Sequence, residues 1–159
     1  MRKKSLLVLV TMSLLVFSVL LYAQGRQRGK TLTVDVVPDF NTFSFVDLDS
    51  STTPTAGEPF IVQGDLFEED TLNRIGDFIC RGFFITLQPN DGDETSVTQS
   101  YEIDGRGTIF VAGNEPGFVP GVSGIRRAII GATGDFNGSG EATIESIPTG
   151  FRITFNFRD

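Results

Sequence analysis

Residues 128–157 read AIIGATGDFNGSGEATIESIPTGFRITFNF, and the close of this stretch decides the fold. Phe151, Ile153, Phe155 and Phe157 alternate with Arg152, Thr154, Asn156 and Arg158. A strict period of two marks a strand with one buried and one wet face. Just upstream, Ala142, Ile144 and Ser146 alternate with Glu141, Thr143 and Glu145. Pro148-Thr149-Gly150 lies between the two runs: proline pre-sets a turn and glycine accepts positive φ, so the pair reads as a β-hairpin. Four large apolar residues on one strand face need a wall opposite them, and the rest of the chain must supply it.

Working backwards, short strand patterns recur. Thr31 to Val37 alternates and is expected to stop at Pro38; Thr42 to Leu48 follows as a separate strand. Asp49 to Glu58 is a loop, and Pro59 to Phe67 a strand with Gly64 as an expected bulge. Arg74 to Leu87 is the longest apolar run, with Gly76 and Gly82 placed to let it bend. Pro89 to Glu94 is a hairpin loop, Ser96 to Ile103 a strand, Asp104-Gly105 a tight turn and Thr108 to Ala112 the return. Gly113 to Gly124 is a Gly/Pro-rich excursion before Ile125 to Gly131. The count is eight or nine strands in up-and-down order, with no stretch of helical period. The pattern alone fits a barrel and a sandwich equally.

The glycine corner also carries a family likeness. IIGATGDF resembles the VVGGTGxF corner of dirigent proteins and the ITGGAGxF of allene oxide cyclases. FSFVDL (Phe43 to Leu48) looks like the first barrel strand of that superfamily, VQGDLF like the end of its second, and RIGDFICRGFF like the strand that follows. The resemblance spans Phe43 to Phe157 and implies an all-β fold, an eight-stranded antiparallel β-barrel over residues 31–159. It implies a lumen for a small hydrophobic molecule, lipid or phenolic, lined by Phe43, Phe45, Cys80 and Phe155. It makes Asp47 and Asp65 the candidate catalytic acids, since a carboxyl in an apolar barrel has a raised pKa and can donate a proton near neutrality. Cys80 stands two residues before Gly82, the position matching the cyclase cysteine, and so shares its face. Where dirigent proteins carry an arginine after the corner, the aligned run here is FNGSGE, with Gly140 in that place. The plant proteins assemble as trimers, which implies a homo-oligomer; Glu145, Arg152 and Asn156 on the outer faces argue against a large apolar interface.

Composition narrows the chemistry. The 159 residues carry 15 Phe, 18 Gly, one Cys and no His. A single cysteine permits no intrachain disulfide, and without histidine a His-based triad or His-ligated metal is excluded. No metal or other cofactor is expected. The acidic run Asp91-Gly92-Asp93-Glu94 lacks EF-hand spacing and reads as a turn. The formal charge is −7, which disfavours nucleic acid as a partner. Arg126-Arg127 reads as a solvated pair, and Asn137-Gly138-Ser139 as a turn that also spells a glycosylation sequon.

Arg2-Lys3-Lys4 ahead of an apolar run from Leu6 to Tyr22 form the n- and h-regions of a signal peptide over residues 1–23. Residues 24–30 then make a linker, and the expected location is extracellular or periplasmic, with no stable membrane association after cleavage. The alternative is an uncleaved anchor, because the run approaches bilayer-spanning length. Three functions follow: a secreted ligand-binding barrel, a cofactor-free isomerase (cyclase) or dirigent-type auxiliary, and a packed extracellular scaffold.

Overall fold

A computed structural model describes residues 30–50, 53–86, 94–116 and 124–158. Eight strands form one closed antiparallel barrel in sequence order: β1 (Thr31–Phe45), β2 (Pro59–Glu68), β3 (Arg74–Thr86), β4 (Glu94–Ile103), β5 (Gly107–Pro116), β6 (Ile125–Ala132), β7 (Ser139–Ile147) and β8 (Gly150–Arg158). The barrel reading therefore holds and the sandwich does not. The leader, residues 24–29 and the run Asp91 to Asp93 lie outside the described residues.

The terminal hairpin does what its pattern requires. β7 and β8 pair from Ser139↔Arg158 to Ile147↔Gly150. Ile153, Phe155 and Phe157 are buried, while Asn156 and Arg158 are exposed. β8 then pairs with β1 from Thr31↔Asn156 to Val36↔Phe151, which closes the sheet on itself and leaves neither strand an open edge.

β1 departs from expectation. Pro38 does not stop it, and the two strands read from the sequence are one bent strand of 15 residues. Pairing with β8 ends at Val36, so the missing N–H of Pro38 interrupts no ladder on that side. Opposite β2 the register runs Asp39↔Gln63 and then Ser44↔Ile61, five steps against two, so β1 inserts three extra residues. Gly64 pairs regularly with Pro38; the irregularity is in β1, not at Gly64. An odd insertion reverses the inward face. Val34 and Val36 point in before it, and Phe43 and Phe45 pack against the core after it. β5 is also longer than expected, taking up Gly113 to Pro116 from the presumed excursion.

Inward positions from every strand form one apolar cluster, 20 buried residues among those described, joined by partly buried ones such as Phe43, Phe45 and Phe151. The barrel has two unlike ends. At the first, β1 finishes and β2 begins, and Phe43, Phe60 and Phe84 form a tilted aromatic chain with centroids 6.0 and 5.0 Å apart. At the second, the 133–138 corner tucks Phe136 beneath the barrel, stacked on Phe157 at 6.1 Å, with the Arg106 guanidinium 5.0 Å from the Phe136 ring. A groove of about 330 Å³ runs beside this plug, between Leu32, Arg106 and Phe157.

Candidate functional site

The two aspartates proposed as pocket acids do not reach the lumen. On β2, Phe60, Val62 and Leu66 are the inward residues, so alternation turns Asp65 outward. There it is half exposed and holds Arg74 Nε at 2.6 Å, in a cluster completed by Asp77 and Asp104. Asp47 lies beyond the end of β1, exposed, and its Oδ1 accepts the backbone N–H groups of Asp49 (3.1 Å) and Ser50 (2.6 Å). It shapes a turn. Asp47, Asp49 and Glu58 bring carboxylate oxygens within 4.8 Å of one another. Glu58 is buried, but its Oε1 and Oε2 accept the N–H groups of Leu48 and Thr55, both at 2.7 Å. That carboxylate pins the 47–58 loop to the barrel.

The four residues expected to line the lumen divide by depth. Phe155 and Cys80 are fully inside. Phe43 and Phe45 are half-buried at the first end, 6.2 Å apart. The lumen also holds polar side chains that the sequence reading did not single out. On β4 the inward positions are Thr95, Val97, Gln99, Tyr101 and Ile103, all buried. The Tyr101 hydroxyl donates to Gln99 Oε1 at 2.5 Å, and Gln99 Nε2 donates to Cys80 Sγ, its neighbour on β3, at 3.7 Å. Tyr101 is gripped by Phe78 (5.3 Å) and, edge-on, by Phe155 (5.0 Å).

Arg127 completes the centre and overturns the reading of Arg126-Arg127 as a solvated pair. Arg126 is exposed and reaches Glu141 at 3.8 Å, whereas Arg127 is only 3% exposed. It occupies the inward position between Ile125 and Ile129 on β6. Its stem lies over Gly113, where a Cβ would come within 3.1 Å of Arg127 Cγ. The signal was present in the alternation Ile125, Arg127, Ile129; reading the arginines as a dipeptide concealed it.

Burial sets the electrostatics here. It pushes the Cys80 thiol and the Tyr101 phenol above their ordinary values, so both are neutral at neutral pH. It pulls Arg127 down from its ordinary value, an effect countered by Tyr101 and Cys80. The centre therefore holds a buried guanidinium beside neutral, oriented dipoles. Asp47 and Asp65, expected there as proton donors, are not among the buried polar groups of the described residues.

No protein-family model matches the chain, and no curated protein matches it. Solved structures similar to it include a pyocyanin demethylase, 22% identical with a TM-score of 0.64, over 81% of this chain and 100% of that one. The likeness is one of fold.

Proposed function

We propose that this barrel is an exported, dirigent-like protein that takes one small, mostly hydrophobic molecule, lipid or phenolic, into its lumen. One observation carries the reading: a hydrogen-bonded polar chain, Cys80–Gln99–Tyr101, lies inside a largely apolar bore with Arg127 buried beside it. A packed scaffold gains nothing from burying such groups, which lose their hydration. Binding sites are apolar cavities with a few convergent polar groups. The aromatic chain Phe43–Phe60–Phe84 supplies the mouth, and the Phe136–Phe157 stack closes the far end. Export rests on the basic-then-apolar leader, and kinship with dirigent proteins and allene oxide cyclases on the motifs between Phe43 and Phe157. The partner is the small molecule and not nucleic acid; self-association through the outer faces belongs to the same kinship.

A cofactor-free isomerase or dirigent-type auxiliary is the second reading, favoured by the same dry centre and by a similar solved structure named for acting on pyocyanin. Its machinery would be Arg127, Gln99 and Tyr101, which bind, orient and exclude water. The family arginine has no counterpart, and a Cβ on Gly140 would lie 2.0 Å from the Asn156 carbonyl oxygen, so that position cannot carry a side chain without moving β8.

The test is titration of the exported protein with fatty-acid and phenolic probes, followed by calorimetry and thermal shift. Saturable binding at one site per chain is expected. The absence of both saturation and thermal shift across the panel would leave the scaffold reading in its place.

A further inference from the structure

The second end of the barrel carries a feature that lumen binding does not use. The groove of about 330 Å³ beside the Phe136 plug has Leu32, Phe136 and Phe157 on its apolar side and Lys30, Arg106 and Asp135 on its polar side. We propose that this groove is a second binding site, outside the lumen, for a small amphiphilic anion with a short apolar body and one carboxylate. The body lies against Leu32 and Phe157, and the carboxylate between Lys30 and Arg106. The inference stands apart from lumen binding.

Backbone contacts build the groove, so it is ready-made. Asp135 N–H donates to the Arg106 carbonyl at 2.7 Å and ties the 133–138 corner to the turn between β4 and β5. The two segments touch closely: a Cβ on Gly107 would lie 2.2 Å from the Thr133 carbonyl oxygen, and one on Gly134 2.1 Å from that of Arg106. On the other side, Phe157 N–H donates to the Lys30 carbonyl at 3.0 Å. Phe136 and Phe157 are buried and stacked, which fixes the apolar side. Small-molecule sites are largely pre-formed, apolar with a few convergent polar groups, and about 300–1,000 Å³ in volume.

Charge sets the sign of the ligand. Two cations face one carboxylate across the groove. Lys30 is exposed, and Arg106 meets Asp135 loosely, at 3.5 Å, with both side chains at least half exposed. An ion pair of that kind is worth little in water, so a ligand carboxylate can share Arg106 with Asp135 or displace it. The Arg106 guanidinium already lies over the Phe136 ring, which keeps it at the groove whichever carboxylate it meets.

The experiment is isothermal titration of the protein with matched pairs, octanoate against octanamide and cinnamate against cinnamamide, for wild type, Lys30→Gln, Arg106→Gln and Asp135→Asn. All three residues are exposed, so the variants are expected to fold. Wild type should bind at least one acid about fivefold or more tightly than its amide. Lys30→Gln and Arg106→Gln should each weaken acid binding by about two- to fivefold and leave the amide unchanged. Asp135→Asn removes the competing carboxylate and should strengthen acid binding by about two- to fivefold. If the Arg106–Asp135 pair served only to hold the corner, both of its variants would weaken binding, so the opposite signs decide. Acid binding that ignores all three substitutions overturns the inference and leaves lumen binding standing, as does equal affinity for acid and amide. Failure of both acids to bind also overturns it and leaves the groove to a second copy of the chain, which light scattering would show.

Discussion

Arg127 and Arg152 stand on strands separated only by β7, yet one faces the bore and the other the solvent side. Arg152 is ringed by acids. Its Nε and NH2 hold Asp35 at 2.7 and 2.9 Å, NH2 also binds Asp70, and NH1 lies 3.5 Å from Glu69. The Asp35 and Asp70 carboxylates raise its pKa. Arg127 has Tyr101 and Cys80 among its electrostatic neighbours, and burial acts against its charge. The outer arginine staples the seam where the first strand meets the last, Asp35↔Arg152, and ties it to the turn after β2. That is an architectural task with its partners built in. The inner arginine lies on the bore side of β6, beside the Cys80–Gln99–Tyr101 chain. Position relative to the sheet, more than residue type, separates the two environments.

The contrast can be broken at the inner face first, where the largest effect is expected. Tyr101→Phe removes the proton donated to Gln99 and leaves a buried acceptor unsatisfied. The loss should be about 1–3 kcal/mol, read from urea midpoints. Because Tyr101 and Gln99 are both neutral, the loss should be the same from about pH 5 to about pH 8. A loss that changes with pH in that range would mean that charge, not desolvation, governs the interior.

The outer face should show the opposite behaviour, with a smaller effect. The Arg152 hydrogen bonds hold the Asp35 carboxyl below its usual range, against the opposing effect of its own burial, with the Asp70 N–H assisting. A carboxylate depressed in the folded state contributes stability above its unfolded pKa of about 3.9, and that contribution disappears as pH falls through the folded value. Asp35→Asn should therefore be less stable than wild type at pH 7, and the gap should close as the pH drops below about 4. A gap independent of pH would show that the seam depends on shape and hydrogen bonds alone.

The same division explains what the sequence could and could not reveal. The terminal hairpin was legible because Phe151 to Arg158 alternates without a break; the strand pattern alone fitted a barrel and a sandwich equally, and the motif likeness pointed to the barrel of eight. Pro38 misled because proline usually ends a ladder; here the neighbouring pairing had already ended at Val36, a fact of tertiary register. The inward turn of Phe43 and Phe45 depends on a three-residue insertion that only the partner strand reveals. Asp65 was readable as outward from Phe60, Val62 and Leu66, but the motif likeness drew attention to the acid instead of its parity. Gln99 and Tyr101 were hidden because TSVTQSYEI has polar residues on both faces, so alternation marks no inside.

The smallest effect is the most pointed check on the inner and outer assignment. If chemistry and recognition belong to the bore, the exposed acids of the rim and outer wall should be silent toward ligand. Asp65→Asn weakens the cluster around Arg74, and Asp47→Asn alters a turn, but neither carboxylate faces the lumen. Solvent screens both from anything bound inside. Affinity for whichever lipid or phenolic probe binds wild type should stay within about twofold in each variant, and any turnover found should be unchanged. A large loss in either would mean that the ligand sits at the rim, and would return those aspartates to the role that the motifs first suggested.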